Sequence, residues 1–382
     1  MDDDPLLMIP GPVPVAEEVQ AAMDGQIIHP RGEQFQSLYA DCQRALRPMF
    51  GTDTDPIFVN ATGWAAIEAA IANCADPDDH LVCLDNGRFG SGMVDIAEGY
   101  VDTVEPVEFG SATAYDLDRV ESALRDGADV ITMVHAETSG GMLNPLAAVG
   151  ELAAEHDALL IADCVTSVAG EELAVDDWGV DVAATSSQKC LGAPPGLSIM
   201  TLSEHARERL DPSNAPQYFD LARHIDYAER NQTVSTASIP LFRGLREAVR
   251  LILEEGLQAR IDRTARLSAA LRTAGDAMGL ELCAAPVGPG KFTNAVTVFE
   301  LPDDVADQTV VDGMAERGIQ IRGGLGELSG ETIRISTMGG NISESDLLTT
   351  INALQSTLAG IGVDIEDDGV AAAKAHLAES AP

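Results

Sequence analysis

Lys189 lies in a turn-like stretch, "TSSQKCLGAPPG" (185–196), that follows an apolar, strand-like segment. It is one of only three lysines in 382 residues, beside Lys291 and Lys374, whereas arginine supplies the rest of the 23 basic residues. A lysine at the edge of a buried strand loses solvation, which lowers its pKa and frees the amine as a nucleophile. Lysine can form a Schiff base with a carbonyl, and arginine cannot. The position therefore predicts a chemical role for Lys189, with an ordinary surface lysine as the alternative.

Two further polar groups follow strand-like segments. Thr62 and Gly63 come after "DPIFVN" (55–60) and begin a predicted helix, whose free N–H groups and dipole suit a phosphate; a simple helix cap is the alternative. Asp163 ends "ALLIAD" (158–163), where a carboxylate needs a partner; it could face a cationic ring nitrogen or cap a helix. A phosphate seat, an acid and a lysine in this order are what pyridoxal phosphate requires. In open α/β sheets such groups meet at the carboxyl ends of the strands.

The elements that position these groups alternate along the chain. Short apolar segments and amphipathic helical segments follow one another from about residue 55. This pattern predicts an α/β protein: a large domain with a mostly parallel sheet flanked by helices, followed by a smaller C-terminal α+β domain. A long helical stretch from 239, broken near Gly256, should connect the two. The predicted boundaries are an N-terminal arm at 1–20, the large cofactor-binding domain at 21–255, the small domain at 256–362 and an acidic tail at 363–382.

The composition limits the classes of partner. The formal net charge is −39, and no cluster of basic residues is available to bind a nucleic-acid backbone. Dense surface carboxylate is a device of halophilic proteins, so we expect a cytosol of high salt, with an ordinary acidic protein as the alternative. The six cysteines show neither C-x-x-C pairs nor zinc-type spacing, so no metal site is predicted. No leader opens the chain and no apolar run approaches ~18 residues, which indicates a cytoplasmic protein without a membrane span.

Two long segments carry a family resemblance. "HAETSGGMLNPLAAVGELAAEHDALLIADCVTSVAG" (135–170) and "SSQKCLGAPPGLS" (186–198) resemble class V, fold-type I aminotransferases, within them the alanine–glyoxylate and serine–pyruvate aminotransferases. The similarity runs from "IPGPVPV" (9–15) to "IRISTMGGN" (333–341). It implies a pyridoxal-phosphate enzyme that is a homodimer, with each active site at the subunit interface.

The resemblance also implies roles for residues that contact the cofactor. Its phosphate would be bound by Thr62, Gly63, Trp64, Gln188 and, from the neighbouring subunit, Thr236, with Thr233 also considered. Its ring would be covered by Phe89 on one face and Val165 on the other, with Asp163 at the ring nitrogen and Lys189 joined to the aldehyde. Ser139 lies where the family contacts both cofactor and substrate. The family usually has histidine where this chain has Trp64.

The substrate residues implied by the resemblance are Ser139 and Arg334, in "TIRIST". A guanidinium presents a planar fork that suits a carboxylate, and Arg322 is the second candidate. His29 and Arg31 could also line the substrate pocket, although surface positions are the alternative.

The predicted reaction is a ping-pong transamination from a small amino acid, such as alanine or serine, to glyoxylate or pyruvate. Aspartate or 2-aminoethylphosphonate could be the donor instead. A lyase such as a cysteine desulfurase is a further alternative, but those relatives usually carry histidine before the lysine, where this chain has Gln188, and Cys283 is the one candidate for their reactive cysteine. The third hypothesis is a nucleotide-binding or scaffolding protein. It rests on "GGLGELSG" (323–330), a possible glycine-rich phosphate loop, but this segment leads into a predicted strand and not into the helix that a dinucleotide site needs.

Overall fold

The computed structural model describes residues 5–380 apart from 214, 287 and 289. In this part of the chain the helices are α1 (Glu17–Met23), α2 (Glu33–Phe50), α3 (Gly63–Cys74), α4 (Arg88–Ala97), α5 (Leu117–Arg125), α6 (Leu146–Glu155), α7 (Glu204–Glu208), α8 (Leu221–Ala228), α9 (Ile239–Glu255), α10 (Leu257–Ala277), α11 (Asp307–Ala315), α12 (Glu344–Gly360) and α13 (Gly369–Glu379), with a 3₁₀ turn at Gly326–Leu328. The strands are β1 (Leu6–Leu7), β2 (Ile57–Val59), β3 (His80–Asp85), β4 (Thr103–Glu108), β5 (Val130–Val134), β6 (Ala136–Glu137), β7 (Met142–Leu143), β8 (Leu159–Asp163), β9 (Val182–Ser186), β10 (Ser198–Leu202), β11 (Lys291–Phe292), β12 (Val296–Glu300), β13 (Ile319–Gln320), β14 (Arg322–Gly323) and β15 (Thr332–Ser336).

A seven-stranded sheet forms the centre of the larger part, in the order β2-β10-β9-β8-β5-β3-β4. The pairs from β4 to β9 are parallel, and β10 runs antiparallel to both β9 and β2. Strands β5, β8, β9 and β10 are buried along their whole length, as continuous apolar strands between helical layers must be. The predicted α/β class with a mostly parallel, helix-flanked sheet is confirmed.

A smaller antiparallel sheet, β12-β15-β14, packs with helices α10 to α13 around its own core. The predicted break near Gly256 is confirmed: it separates α9 from α10 and has φ of +91°, a conformation that favours glycine. The chain from 363 onward is predicted to be a solvated acidic helix or tail; it does contain a helix, α13, but this helix is packed and not fully solvated. Ala373 and Leu377 on α13 are buried in the small core, because the segment has an apolar face. The proposed domain boundaries stay predictions.

The strand ends place the chemistry-bearing residues. Helix α3 begins directly after β2, Asp163 is the last residue of β8, and Lys189 lies three residues beyond the end of β9. The segment "SGMVDIAEGY" (91–100) is predicted from its pattern to be a helix. Helix α4 begins three residues earlier, at Arg88, which puts Phe89 in its first turn. A side chain on Gly87 would meet Ser139 Oγ at 2.4 Å and Glu137 Cδ at 2.7 Å, so glycine is needed where this turn approaches β6.

Candidate active site

One cavity at the carboxyl ends of the parallel strands brings together most of the residues predicted to contact a cofactor. Its lining comprises Thr62, Gly63, Trp64, Phe89, Asp163, Val165, Gln188 and Lys189, together with Val134, Ala136, Thr138 and Thr166. Ser139, Thr236 and Arg334 do not line it, and their positions are described below.

The start of α3 forms one end of this cavity. The first N–H groups of a helix have no acceptor within it, and the Thr62 side chain makes no capping bond to them. Gly63 is tightly packed, since a Cβ there would lie 2.8 Å from Val165 Cγ2. Close by, the buried Oγ of Ser186 and Oε1 of Gln188 have no hydrogen-bond partner within the described residues. The Ser186 hydroxyl can donate, and a donor without a partner beside a helix N-terminus fits the phosphate of pyridoxal phosphate.

Two aromatic rings form one wall of the cavity. Trp64 and Phe89 stack with ring centroids 5.7 Å apart and planes inclined by 24°. Trp64 remains 37% exposed, so it lies at the mouth of the cavity. Val165 is on the lining as well, and a cavity lined by aromatic and aliphatic side chains suits a flat heterocycle.

Asp163 is a buried carboxylate at the end of β8. Its Oδ1 accepts a hydrogen bond from the Val165 amide at 2.8 Å, and within the described residues Oδ2 has no donor. Burial raises the pKa of Asp163 to about 6, and the neighbouring Glu137 adds to the rise while Lys189 opposes it. A buried carboxylate with one free oxygen would be stabilised by a cationic ring nitrogen.

Lys189 is held by a network within its turn. The Ser187 hydroxyl donates to the Pro194 carbonyl at 2.6 Å, and the Gly192 amide donates to the Lys189 carbonyl at 2.8 Å. The Nζ group donates to the carbonyl of Pro10. Burial lowers the pKa of Lys189, although the charges of Asp163 and Glu137 counteract this effect. The amine is therefore placed and activated for nucleophilic and base chemistry.

Glu137 was not singled out from the sequence, yet it organises the aromatic wall. Its Oε2 accepts from the Phe89 and Gly90 amides at 3.0 and 3.2 Å, and its Oε1 accepts from the Ser139 amide and hydroxyl at 2.9 and 2.6 Å. Burial raises its pKa, against the effect of these donors. The signal that could have found it is the "HxExSxG" pattern, which places a carboxylate in a buried strand two residues before Ser139.

Ser139 lies behind the aromatic wall, between Glu137 and the start of α4. Besides donating to Glu137, its hydroxyl accepts from the Arg88 amide at 3.1 Å. These contacts make it a support for the wall, and its predicted contact with cofactor and substrate stays a prediction.

Arg334 and Arg322 face each other in register on β15 and β14, but their surroundings differ. Arg334 is buried, and its Nε donates to the Gly323 carbonyl at 2.8 Å. In the described chain its two terminal nitrogens make no hydrogen bond, so its fork is available for a carboxylate. Burial lowers its pKa to about 10, and its charge acts on Lys189. Arg322 is exposed. These contacts favour Arg334 as the residue that binds the substrate carboxylate.

Thr236 is exposed on the loop before α9, beside the start of α3. Its carbonyl accepts from Asn60 Nδ2 at 2.8 Å. Arg31 holds the same loop by donating to the carbonyls of Thr233 and Val234 at 2.7 and 3.3 Å. His29 is exposed and accepts from the Arg31 amide at 3.1 Å. Neither His29 nor Arg31 lines the cavity, and an exposed Thr236 is compatible with a contact to a neighbouring subunit.

The sequence features that suggested a cysteine desulfurase or a nucleotide-binding protein lack the structure that those functions need. Burial raises the pKa of Cys283 to about 11, so its thiol is not activated, and its amide is bonded to the Val298 carbonyl. The glycine-rich segment 323–330 begins at the last residue of β14, contains the short 3₁₀ turn and leads into β15 instead of a helix. In the described residues no helix is long and apolar enough to cross a membrane.

Comparisons with known proteins agree with this geometry. The family model described as "Aminotransferase class-V" matches residues 16–346. Among relatives, the chain is 33% identical to the (S)-ureidoglycine–glyoxylate transaminase of Bacillus subtilis over 94% of this chain and 92% of that protein. It is 32% identical to the serine–glyoxylate aminotransferase of Arabidopsis thaliana, covering 98% and 96% of the two chains.

Solved structures give the same result. The alanine–glyoxylate aminotransferase of Nostoc sp. superposes with a TM-score of 0.88 at 34% identity, covering 93% of this chain and 95% of the other. The pyridoxamine–pyruvate aminotransferase of Mesorhizobium loti superposes with a TM-score of 0.94 at 27% identity, covering 99% and 98%. A cysteine desulfurase of Thermococcus onnurineus, at 16% identity, shares the fold alone.

Fold and cavity together thus define an enzyme of the fold-type I class, in which a lysine, an acid and a helix N-terminus surround one pocket. The chain belongs to the class-V aminotransferase family.

Proposed function

We propose that this protein is a pyridoxal-phosphate-dependent transaminase that moves an amino group from a small amino acid to glyoxylate or pyruvate by a ping-pong mechanism. The observation that carries the proposal is the convergence of Lys189, Asp163 and the free start of α3 on one cavity. The partnerless hydroxyl of Ser186 and the free oxygen of Asp163 fit the phosphate and the ring nitrogen of this cofactor, respectively.

Each of the proposed active-site residues has a separate role. When bound, pyridoxal phosphate withdraws electrons from the substrate α-carbon into its ring. Asp163 holds the proton on the ring nitrogen, and Thr62, Gly63, Trp64 and Gln188 anchor the phosphate. Lys189 Nζ removes the substrate α-proton and returns a proton in the second step. Arg334 orients the substrate by its carboxylate, which the burial of its guanidinium strengthens.

Glyoxylate is the favoured amino acceptor. The Bacillus subtilis and Arabidopsis thaliana relatives and the L-aspartate–glyoxylate aminotransferase of Paracoccus denitrificans, which is 30% identical to this chain, share glyoxylate in their names, whereas their amino donors differ. We accordingly leave alanine, serine and aspartate as candidate donors.

We propose further that the protein is a homodimer of the cytoplasm and is adapted to high salt. The exposed loop of Thr236 next to the start of α3 supports a shared active site, because it can contribute a hydroxyl to the neighbouring cavity. A net charge of −39 supports the adaptation to salt.

A half-reaction screen tests the proposed function. Holo-protein is mixed with single amino acids, and loss of the visible absorbance of the lysine-bound cofactor is followed without any keto acid. We expect one or a few small amino acids to discharge the wild type, glyoxylate to restore it, and Lys189→Ala to show neither the absorbance nor turnover. Sulfide release from cysteine, or turnover by Lys189→Ala, would contradict the proposal.

A further inference from the structure

A strap formed by residues 6–13 runs from the small sheet to Lys189. Its first half is fixed to the strands beside Arg334: the Met8 amide donates to the Gln320 carbonyl at 2.9 Å, and the Met8 carbonyl accepts from the Ser336 amide at 2.8 Å. The Met8 side chain is fully buried in the small core. This end of the strap therefore moves with β15.

The second half of the strap is fixed to the lysine turn. The Val13 amide donates to the Gln188 carbonyl at 3.1 Å, one residue before Lys189. Val13 is buried in a small cluster with Cys190 and Met338. Both ends are thus bonded to elements that carry proposed active-site residues.

Between these anchors the strap presents a hydrogen-bond acceptor to the lysine. The buried carbonyl of Pro10 accepts from Lys189 Nζ. Pro10 and Pro12 have no N–H, so this part of the strap offers mainly carbonyl oxygens. A lysine amine carries donors, and its ammonium form has no acceptor, so the two surfaces are complementary.

Gly11 permits this close approach. A Cβ at Gly11 would lie 2.8 Å from both Cδ and Nζ of Lys189 and 2.9 Å from its Cε, and the residue has φ of +112°. The strap consequently packs along the whole end of the lysine side chain, and only glycine leaves room for it.

We propose that the Pro10 carbonyl is the positioning group that holds the Lys189 amine whenever this amine is not joined to the cofactor. The inference rests on the proposed function, which makes Lys189 catalytic. An amine that donates one N–H to Pro10 is held in one orientation instead of rotating freely, so it stays near the substrate carbon between proton transfers. Because a carbonyl stabilises the ammonium more than the neutral amine, the bond also favours the protonated form.

The first test compares two glycine substitutions in cofactor-free protein. Gly11→Ala introduces a methyl group against Lys189, whereas Gly127→Ala bears the same positive-φ cost (φ of +93°) with no atom within 4 Å. The readout is the rate at which added pyridoxal phosphate becomes joined to Lys189, together with the labelling of Lys189 by an amine reagent. We expect Gly11→Ala to slow the joining by at least about tenfold and Gly127→Ala to leave it unchanged. Equal rates in folded variants would overturn the proposal.

The second test weakens the hydrogen-bond acceptor without adding bulk, and it tests the proposed role of Pro10 even if Gly11→Ala does not fold. Residues 1–41 are made synthetically with glycolate in place of Gly11 and ligated at Cys42, so that an ester weakens the Pro10 carbonyl. The apparent pKa of Lys189, measured from the pH dependence of its labelling, should fall relative to an all-amide ligated control. An unchanged pKa would overturn the proposal. A wild-type protein whose Lys189 never joins the cofactor would instead refute the proposed function.

Discussion

At the scale of single residues, the site combines two buried acids with two buried cations. Burial favours the neutral form of all four groups. The charge of Glu137 raises the pKa of Asp163, Lys189 and Arg334, and the charges of Asp163 and Lys189 act on each other's pKa. Buried titratable groups with shifted pKa values, gathered in one cleft, are typical of sites that transfer protons.

Asp163→Asn removes the negative charge of this side chain and nearly keeps its shape, so the variant tests whether the charge is needed. Since burial raises the pKa of Asp163 to about 6, the group must lose a proton to face a cationic ring nitrogen, and wild-type cofactor affinity should rise with pH through that value. The variant should lose this pH dependence, and its turnover should fall roughly 10²–10⁴-fold, as expected for breaking a buried charge pair. The dissociation constant of the cofactor between about pH 5 and 8 checks this.

Exposed Asp157→Asn serves as the control for a general change of charge. Identical pH profiles for wild type and Asp163→Asn would contradict the role assigned to this acid.

The residues that were predictable from sequence are those with a local signature. Lys189, Asp163 and Thr62 each lie at the end of a strand or within three residues of it, and an unusual residue at such a place is visible in the sequence. Pro10 and Glu137 act through contacts with residues 179 and 48 positions away, so no local pattern indicates their role. Arg334 needed the family resemblance, because an arginine in a strand is otherwise unremarkable in composition or spacing.

At the scale of elements, α3 and α4 meet through Trp64 and Gly92. A Cβ at Gly92 would lie 2.1 Å from Trp64 Cη2, so the indole occupies the space that a side chain on α4 would need. Replacing glycine by alanine inside a helix normally stabilises it by about 1 kcal/mol. A substitution at Gly92 that instead lowers the free energy of unfolding would therefore report the close packing against Trp64.

Gly92→Ala should therefore lower the free energy of unfolding by about 1–3 kcal/mol, or displace the indole and weaken cofactor binding. In a Trp64→Ala background the same change should be neutral or stabilising. A double-mutant cycle on chemical denaturation and cofactor affinity measures the coupling, and additive effects would show that the two helices do not meet as described.

A second contact between elements links the large and small cores at Glu171. This buried residue accepts from the Thr293 hydroxyl at 2.6 Å and from the Asn294 amide and side chain at 2.6 and 2.7 Å, just before β12. Burial raises its pKa from 4.5 to about 7. Between these two values the folded state keeps a proton that the unfolded state has lost, so this group makes stability fall as pH rises from about 4.5 to about 7, and not above.

Glu171→Gln should reduce that slope, which for one group is at most about 1.4 kcal/mol per pH unit. The free energy of unfolding by denaturant is measured across the window, with exposed Glu172→Gln as the neighbouring control. The same slope in wild type and Glu171→Gln would count against this linkage.

Element types were predictable from the apolar pattern, but several bounds were not. Helix α4 begins early because Gly87 allows the chain to approach Ser139, and the final segment packs as α13 because the small core covers its apolar face. Both causes are tertiary contacts, which a pattern read along one segment does not contain.

At the scale of the whole molecule, a charge of −39 must be reconciled with anionic keto-acid substrates. At about 1 M salt the Debye length is about 3 Å, so distant carboxylates are screened and Arg334 decides binding; at about 0.1 M it is about 10 Å. The KM for glyoxylate should rise as salt is lowered while the protein is still folded. The KM for a zwitterionic amino donor should change less, which provides the control, and flat KM values for both would contradict this account.

The most direct test of the central claim is chemical trapping of the cofactor. Holo-protein is reduced with borohydride, digested, and each lysine-containing peptide is assigned by mass spectrometry. Only three lysines compete, so the result is unambiguous. We predict that the phosphopyridoxyl group is found on Lys189 alone; its attachment to Lys291 or Lys374, or an unmodified Lys189 in protein saturated with the cofactor, would contradict the account.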